Sequence, residues 1–209
     1  LKFGSPMLYS LIFFAIMFFI IYRGIKATGR AELILISLLF LVIAFLGFFS
    51  YDKISVSNFS PFNPAFFFLP YGVILFAFMS SPAIPELKEE LEHDKQKMKK
   101  AIIIGSVIPI VLYVLFSFVI VGLVGLEQFE LLQPNERIAT IALSIYSQPL
   151  LGLFANLLAV LSMLTSFLAL GLALVQVYHY DYKLPRWSAL LLTFSVPLIV
   201  VLFNFTTFI

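Results

Sequence analysis

Two groups of hydroxyl residues lie in stretches otherwise too apolar for chemistry. In 69-LPYGVILFAFMSSPAIPELKEEL-91, an aromatic run reaches Met79 and gives way to Ser80, Ser81 and Pro82, with Pro85 and a charged segment just beyond. In 156-NLLAVLSMLTSFLALG-171, Ser162, Thr165 and Ser166 fall at i, i+3 and i+4, one face of a helix. The prolines define what the first group does. Pro82 has no N–H, so the carbonyl of Phe78 loses its helical donor, and Pro85 does the same to Ser81. Ser81 followed by Pro82 is also a helix-start signal, a hydroxyl cap with proline at the first helical position. The stretch therefore predicts one half-helix ending near Phe78 or Met79, a second beginning near Pro82, and an unwound joint formed by Phe76, Ala77, Phe78, Met79, Ser80, Ser81 and Pro82. The partially positive start of the second half-helix suits a carboxylate, and freed carbonyls suit an ammonium group. A zwitterionic amino acid has both. The competing reading is a plain proline kink. For the second group, hydroxyl oxygens and a carbonyl loosened by their competition suit a hard cation such as Na⁺. Its competing reading is that Ser and Thr sit at helix contacts and bond back to their own helix.

The elements that must carry these groups are membrane helices. The chain has 209 residues, 62% hydrophobic and 11% charged, with 25 Phe and no Cys, and a mean hydropathy of +1.07. Soluble domains are about 25% charged. The expected fold class is all-α integral membrane protein. Runs able to span roughly 30 Å of hydrocarbon occur at Pro6–Tyr22, Leu33–Tyr51, Ala65–Pro85, Ala101–Leu126, Pro149–Tyr180 and Trp187–Phe208, giving about six spans in a single transmembrane domain. They must be helical, because lipid cannot satisfy an open strand edge. Phe66 to Met79 makes only about 21 Å of helix, so the third span needs its second half. Irregular backbone at that depth belongs where it is buried in protein or lines a wet cavity.

Charge sets the orientation. Arg23, Lys26, Arg30, Lys88, Lys95, Lys97, Lys99, Lys100, Lys183 and Arg186 lie on one side of these spans, against Lys2, Lys53 and Arg137 on the other. The positive-inside rule then makes the charged loops 23–32, 86–100 and 181–186 cytoplasmic, in a multi-pass protein of the plasma membrane. On the outer side, 139-ATIALSIYS-147 reads as a surface or re-entrant helix, and Asn58-Phe59-Ser60 forms a glycosylation triplet of low specificity. Neither His93 nor His179 is opposed by another histidine, and no HExxH, phosphate-binding glycine loop or intramembrane Ser/His or Asp/Asp arrangement occurs. An enzyme, a resident cofactor and a nucleic-acid partner are not expected. The chain begins at Leu1 and stops within an apolar run at Ile209, which we read as a piece of a longer protein.

Three segments carry a family resemblance. The run 76-FAFMSSPAIPELKEEL-91 with its charged continuation, 101-AIIIGSVIPIVLYVLFSFVIVGLVG-125 ending in Val-Gly-x-x-Gly, and Thr165-Ser166-Phe167-Leu168-Ala169 resemble the amino acid/polyamine/organocation superfamily. Within it, they resemble the amino acid/auxin permease or aromatic amino acid permease branch. The likeness is to about helices four to nine and is carried by residues 65–209. It implies a leucine-transporter-like fold of inverted repeats, with one discontinuous span. The joint from Phe76 to Pro82 would be half of an amino acid site, with Phe76 and Phe78 shaping the side-chain pocket. Ser162, Thr165 and Ser166 would line a sodium site or its proton-coupled remnant. The implied function is secondary active transport of an amino acid, apolar or aromatic, driven by H⁺ or Na⁺. Its partners are the bilayer and the helices missing from this chain. The rival reading is a non-transporting scaffold or truncated relic.

Overall fold

The computed structural model describes residues 6–59, 63–79, 83–91 and 93–203. Among them every regular element is helical, and the α-helices are α1 (Pro6–Tyr22), α2 (Ile25–Ser50), α3 (Tyr71–Ala77), α4 (Ala83–Glu90), α5 (Lys95–Val124), α6 (Leu126–Leu131), α7 (Ala139–Tyr146), α8 (Pro149–Gln176) and α9 (Arg186–Leu202). Among the described residues, three stretches are long and apolar enough to cross a bilayer: Ile25–Lys53, Lys95–Val124 and Pro149–Asp181. Met7–Tyr22 and Arg186–Leu202 are shorter apolar helices.

Where helix boundaries depart from the apolar runs, capping chemistry explains the shift. The stretch 23–32, expected as a loop, is helical from Ile25. Gly24 forms the elbow, with φ at +92°, and its carbonyl accepts the Thr28 backbone N–H at 3.0 Å and the Thr28 hydroxyl at 3.1 Å. The stretch 86–100 is likewise mostly helix. α5 begins at Lys95 rather than Ala101 because Asp94 caps it, accepting the Lys97 N–H at 2.9 Å. That backbone bond, and then the Lys97 ammonium 3.0 Å away, hold the exposed Asp94 carboxyl below its ordinary value. The third apolar run departs most. Its first half is the seven-residue α3 rather than a helix from Phe66, because the Pro70 ring collides with the carbonyl of Phe66 in a continuous helix. The chain instead makes a short 3-10 turn over Pro64–Phe66 and tight turns to Tyr71, with Leu69 donating to Phe66 at 3.0 Å.

The chain divides into two compact units. The first comprises Leu1–Leu35, Pro82–Glu86 and Leu164–Ile209. Its core comprises Phe14, Met17 and Ile21 on α1, Leu168, Leu172 and Val175 on α8, and Ala189, Leu190 and Phe194 on α9. Phe13, Phe14, Phe167 and Phe194 meet edge-to-face, with centroids 5.0–6.5 Å apart. Each such pair is worth about 0.5–1.5 kcal/mol beyond its buried area. Gly171 lets α8 approach α1, since a Cβ there would stand 2.7 Å from the Ile21 Cδ1. Thr193, buried on α9, returns its hydroxyl to the Ala189 carbonyl at 2.8 Å, which satisfies it within its own helix.

The second unit comprises Ile36–Ser81 and Leu87–Met163. Here α5 packs against α7 and against the turn at Val56–Asn58. Val119, Ile120 and Val124 are buried from α5, Ala142 and Leu143 from α7, and Leu151, Ala155 and Leu158 from α8. Gly152 faces the backbone of Ser144, 3.2 Å from where a Cβ would sit, so α7 and α8 touch main chain to side-chain-free main chain. The segment 139–147 is helical, as its spacing predicts.

Candidate functional site

The joint between α3 and α4 is the first candidate. α3 stops at Ala77, and Phe78 closes it with φ −96° and ψ 6°, outside the helical region. The Phe78 N–H still reaches the Ile74 carbonyl at 3.0 Å, whereas Met79 donates to Phe76 at 3.1 Å, a 3-10-type bond that tightens the last turn. α4 starts at Ala83, and Pro85 sits in its first turn, where its missing N–H has no helical partner to lose. Ser80, Ser81 and Pro82, which complete the predicted joint, lie outside the described residues. In a continued helix the donor to the Phe78 carbonyl would be the nitrogen of Pro82, which carries no hydrogen.

The side chains at the joint are open. Phe76 is 76% exposed and Met79 60%. Phe78 is the most sheltered of the three large side chains, and its ring stands edge-on to Tyr113 of α5 at 5.6 Å. No residue of α3 is buried. Beside the start of α3 runs an open groove of about 1260 Å³, lined by Phe66, Phe68, Tyr71, Ile74, Leu126 and Glu130. An aromatic groove with one carboxylate at its rim offers apolar contact with a single point of charge.

The second candidate lies on α8, which runs unbroken through Ser162, Thr165 and Ser166. Ser162 belongs to the second unit, and Thr165 and Ser166 to the first. The Ser162 hydroxyl donates to the Leu158 carbonyl at 2.8 Å, the back-bond of the competing reading. That bond uses the hydroxyl proton. Thr165 is half-buried, and Ser166 is exposed.

Several contacts were invisible to pattern reasoning. The Val-Gly-x-x-Gly ending of α5 is a docking surface for a loop. A Cβ at Gly122 would meet Ile54 at 2.6 Å and Phe59 at 3.2 Å, and Gly125, at φ +77°, faces Asn58. The Asn58 Nδ2 donates to the Gly122 carbonyl at 2.8 Å, and the Ser55 N–H joins it at 3.0 Å. The amide of the glycosylation triplet is thus engaged in holding the loop to α5. Phe59 stacks on Phe118 with centroids 4.9 Å apart. Lys53 reaches Gln148 at 2.7 Å. The glycine spacing alone was the available signal, and it names no partner.

Comparison with known proteins follows the same line. The profile described as the tryptophan/tyrosine permease family matches residues 3–209. A branched-chain amino acid permease of Bacillus subtilis is 27% identical over 132 residues, 60% of this chain and 28% of the relative. A tyrosine-specific transport system of Haemophilus influenzae is 28% identical over 156 residues, 69% of this chain and 38% of the relative. Glutamine transporter 2 of Aliivibrio fischeri is 30% identical over 132 residues, 61% of this chain and 33% of the relative. The chain therefore spans about a third of the length of the curated relatives it matches. No solved structure matches it.

Proposed function

The chain belongs to the tryptophan/tyrosine permease family, an amino acid permease family of multi-pass membrane proteins, and on that premise we propose that it is part of a secondary active transporter that carries an amino acid across the plasma membrane. The observation that carries the reading is the match of the family along residues 3–209 to a chain whose third apolar run leaves helical geometry at Phe78. Six spans are proposed, with α3 and α4 forming the discontinuous one in a leucine-transporter-like arrangement, and with 23–32, 86–100 and 181–186 facing the cytoplasm. Together they make one partial transmembrane domain. Alternating access would come from rocking one helix bundle against another around the broken helix.

In this reading the backbone from Phe76 to Pro82 takes the substrate's carboxylate and ammonium groups. Phe76 and Phe78 form part of the wall around its side chain, which favours an apolar or aromatic substrate. Ser162, Thr165 and Ser166 hold Na⁺ or mark the path of H⁺. The Ser162 back-bond and the half-burial of Thr165 are compatible with either ion. The exposure of α3 supports a site completed by further helices of the intact protein.

The test is uptake of a labelled amino acid panel into proteoliposomes containing the intact protein, with imposed Na⁺ and pH gradients. Gradient-dependent uptake of an apolar or aromatic amino acid is expected. Failure of every amino acid under both gradients, with the protein correctly inserted, would sink the proposal.

A further inference from the structure

The elbow between α1 and α2 carries Arg23, Lys26 and Arg30 and receives Arg186 from the start of α9. Arg23, Lys26 and Arg30 are exposed, the last two one helical turn apart on the same face of α2. Arg186, at the start of α9, belongs to the same elbow: its Nη2 donates to the Ile21 carbonyl at 3.4 Å and stands 2.8 Å from where a Gly24 Cβ would be. Arg23 lies over the Phe19 ring at 4.9 Å. Among the described side chains the only ion pair is Lys97 with Asp94, and none of these four cations pairs with a described carboxylate. Glu32, the sole carboxylate in the first three turns of α2, keeps a buried oxygen that no hydrogen bond reaches, and it pairs with none of them. The fold accounts for Arg23 and Arg186, which lie at the C-terminal end of α1, and leaves Lys26 and Arg30 unexplained. Like charges one turn apart repel, and cations are disfavoured in the first turns of a helix.

The ring pair beside the cluster locates it. Tyr22 and Trp187 lie 4.8 Å apart, tilted by 36°, and both are exposed. Amphipathic rings at the end of an apolar helix sit at headgroup level in a bilayer. Phosphate oxygens at that level are the natural counter-charge for guanidinium and ammonium groups.

We propose that Arg23, Lys26, Arg30 and Arg186 form a binding site for the phosphate of an anionic phospholipid, with Tyr22 and Trp187 against its glycerol region. The site is separate from the amino acid joint and stands whether or not transport is confirmed. Trp187 is the only tryptophan of these 209 residues and reports directly on it. The intact protein is reconstituted in phosphatidylcholine vesicles containing either brominated phosphatidylglycerol or brominated phosphatidylcholine at equal mole fraction. The Trp187→Phe variant supplies the background from any other tryptophan.

Brominated phosphatidylglycerol is expected to quench Trp187 preferentially, with a relative affinity at least about fivefold that of the neutral lipid, the contribution of one basic side chain at an anionic surface. Arg23→Gln with Lys26→Gln and Arg30→Gln should bring the two lipids level, and the charge-preserving exchange Arg23→Lys, Lys26→Arg, Arg30→Lys should keep the preference. If the triple neutral variant loses helical content, Lys26→Gln with Arg30→Gln takes its place. Equal quenching of the native protein, or a preference that survives neutralisation, overturns the proposal. So does a shift of Trp187 emission by millimolar inorganic phosphate in detergent matching that produced by the lipid, which would make the site one for soluble phosphate.

Discussion

α1 and α3 are built from the same residue types and meet opposite fates. Both are rich in Phe, Ile and Leu, and neither carries a charge. α1 places Phe14, Met17 and Ile21 in a packed core, whereas no residue of α3 is buried. The difference lies in spacing and partners rather than hydrophobicity. α1 presents a regular i, i+3, i+7 face to α8 and α9, and Gly171 lets α8 come close. α3 is cut to two turns by Pro70 on one side and the non-helical Phe78 on the other, too short to present such a face. An apolar stretch that ends at both sides in proline chemistry is organised for its backbone, and one with an unbroken periodic face is organised for its side chains.

Truncating one phenylalanine in each helix separates the two roles most sharply. Phe14→Ala should lower stability by about 3–5 kcal/mol, read as thermal unfolding of the intact protein in detergent. Phe76→Ala should change that stability by less than about 0.5 kcal/mol while reducing amino acid uptake. Equal destabilisation by both substitutions would erase the contrast.

Adding atoms probes the close approaches. Gly122→Val should destabilise by about 1–3 kcal/mol through overpacking against Ile54 and Phe59, and Gly24→Ala by about the same, from its positive φ and its contact with Arg186. Ordinary melting of either variant would mean that the loop or the elbow yields at little cost.

Removing hydroxyls tests the polar atoms of the apolar spans. Ser81→Leu or Thr165→Val should reduce uptake by about fivefold, the scale of one lost hydrogen bond within a membrane protein, with insertion unchanged. Unaltered uptake kinetics in both variants would remove the site assignment.

The smallest effect belongs to the exposed Asp94 cap. Its carboxyl is lowered in the folded protein, so its contribution is present above the ordinary value of 3.8 and is lost as pH falls through the folded value. Amide exchange at Lys97, corrected for its intrinsic pH dependence, should show reduced protection below about pH 4, and Asp94→Ala should abolish that dependence. Protection that is flat with pH would show that the cap is not held by charge.

Much of this was legible in the sequence because it follows from backbone chemistry and from local periodicity. The α-helical class, the helix over 139–147, the end of α3 near Phe78 and the start of a second helix near Ala83 all depend on residues within a few positions of one another. The core of the first unit was not legible, because α1 is apolar on every side and its sequence does not mark which face packs. The boundaries missed were those decided by caps rather than by hydropathy, at Gly24, Pro70 and Asp94. Only the tertiary structure could reveal that Val-Gly-x-x-Gly receives Asn58 and Phe59, that the glycosylation triplet's amide is bound, or that Arg186 belongs with Arg23 at the elbow. Two of these contacts join residues 64 and 165 positions apart. A glycine records that something comes close, and a lone arginine that it needs a counter-charge. Neither names its neighbour until the chain has folded, because spacing in sequence constrains contacts along one helix and leaves contacts between helices to packing.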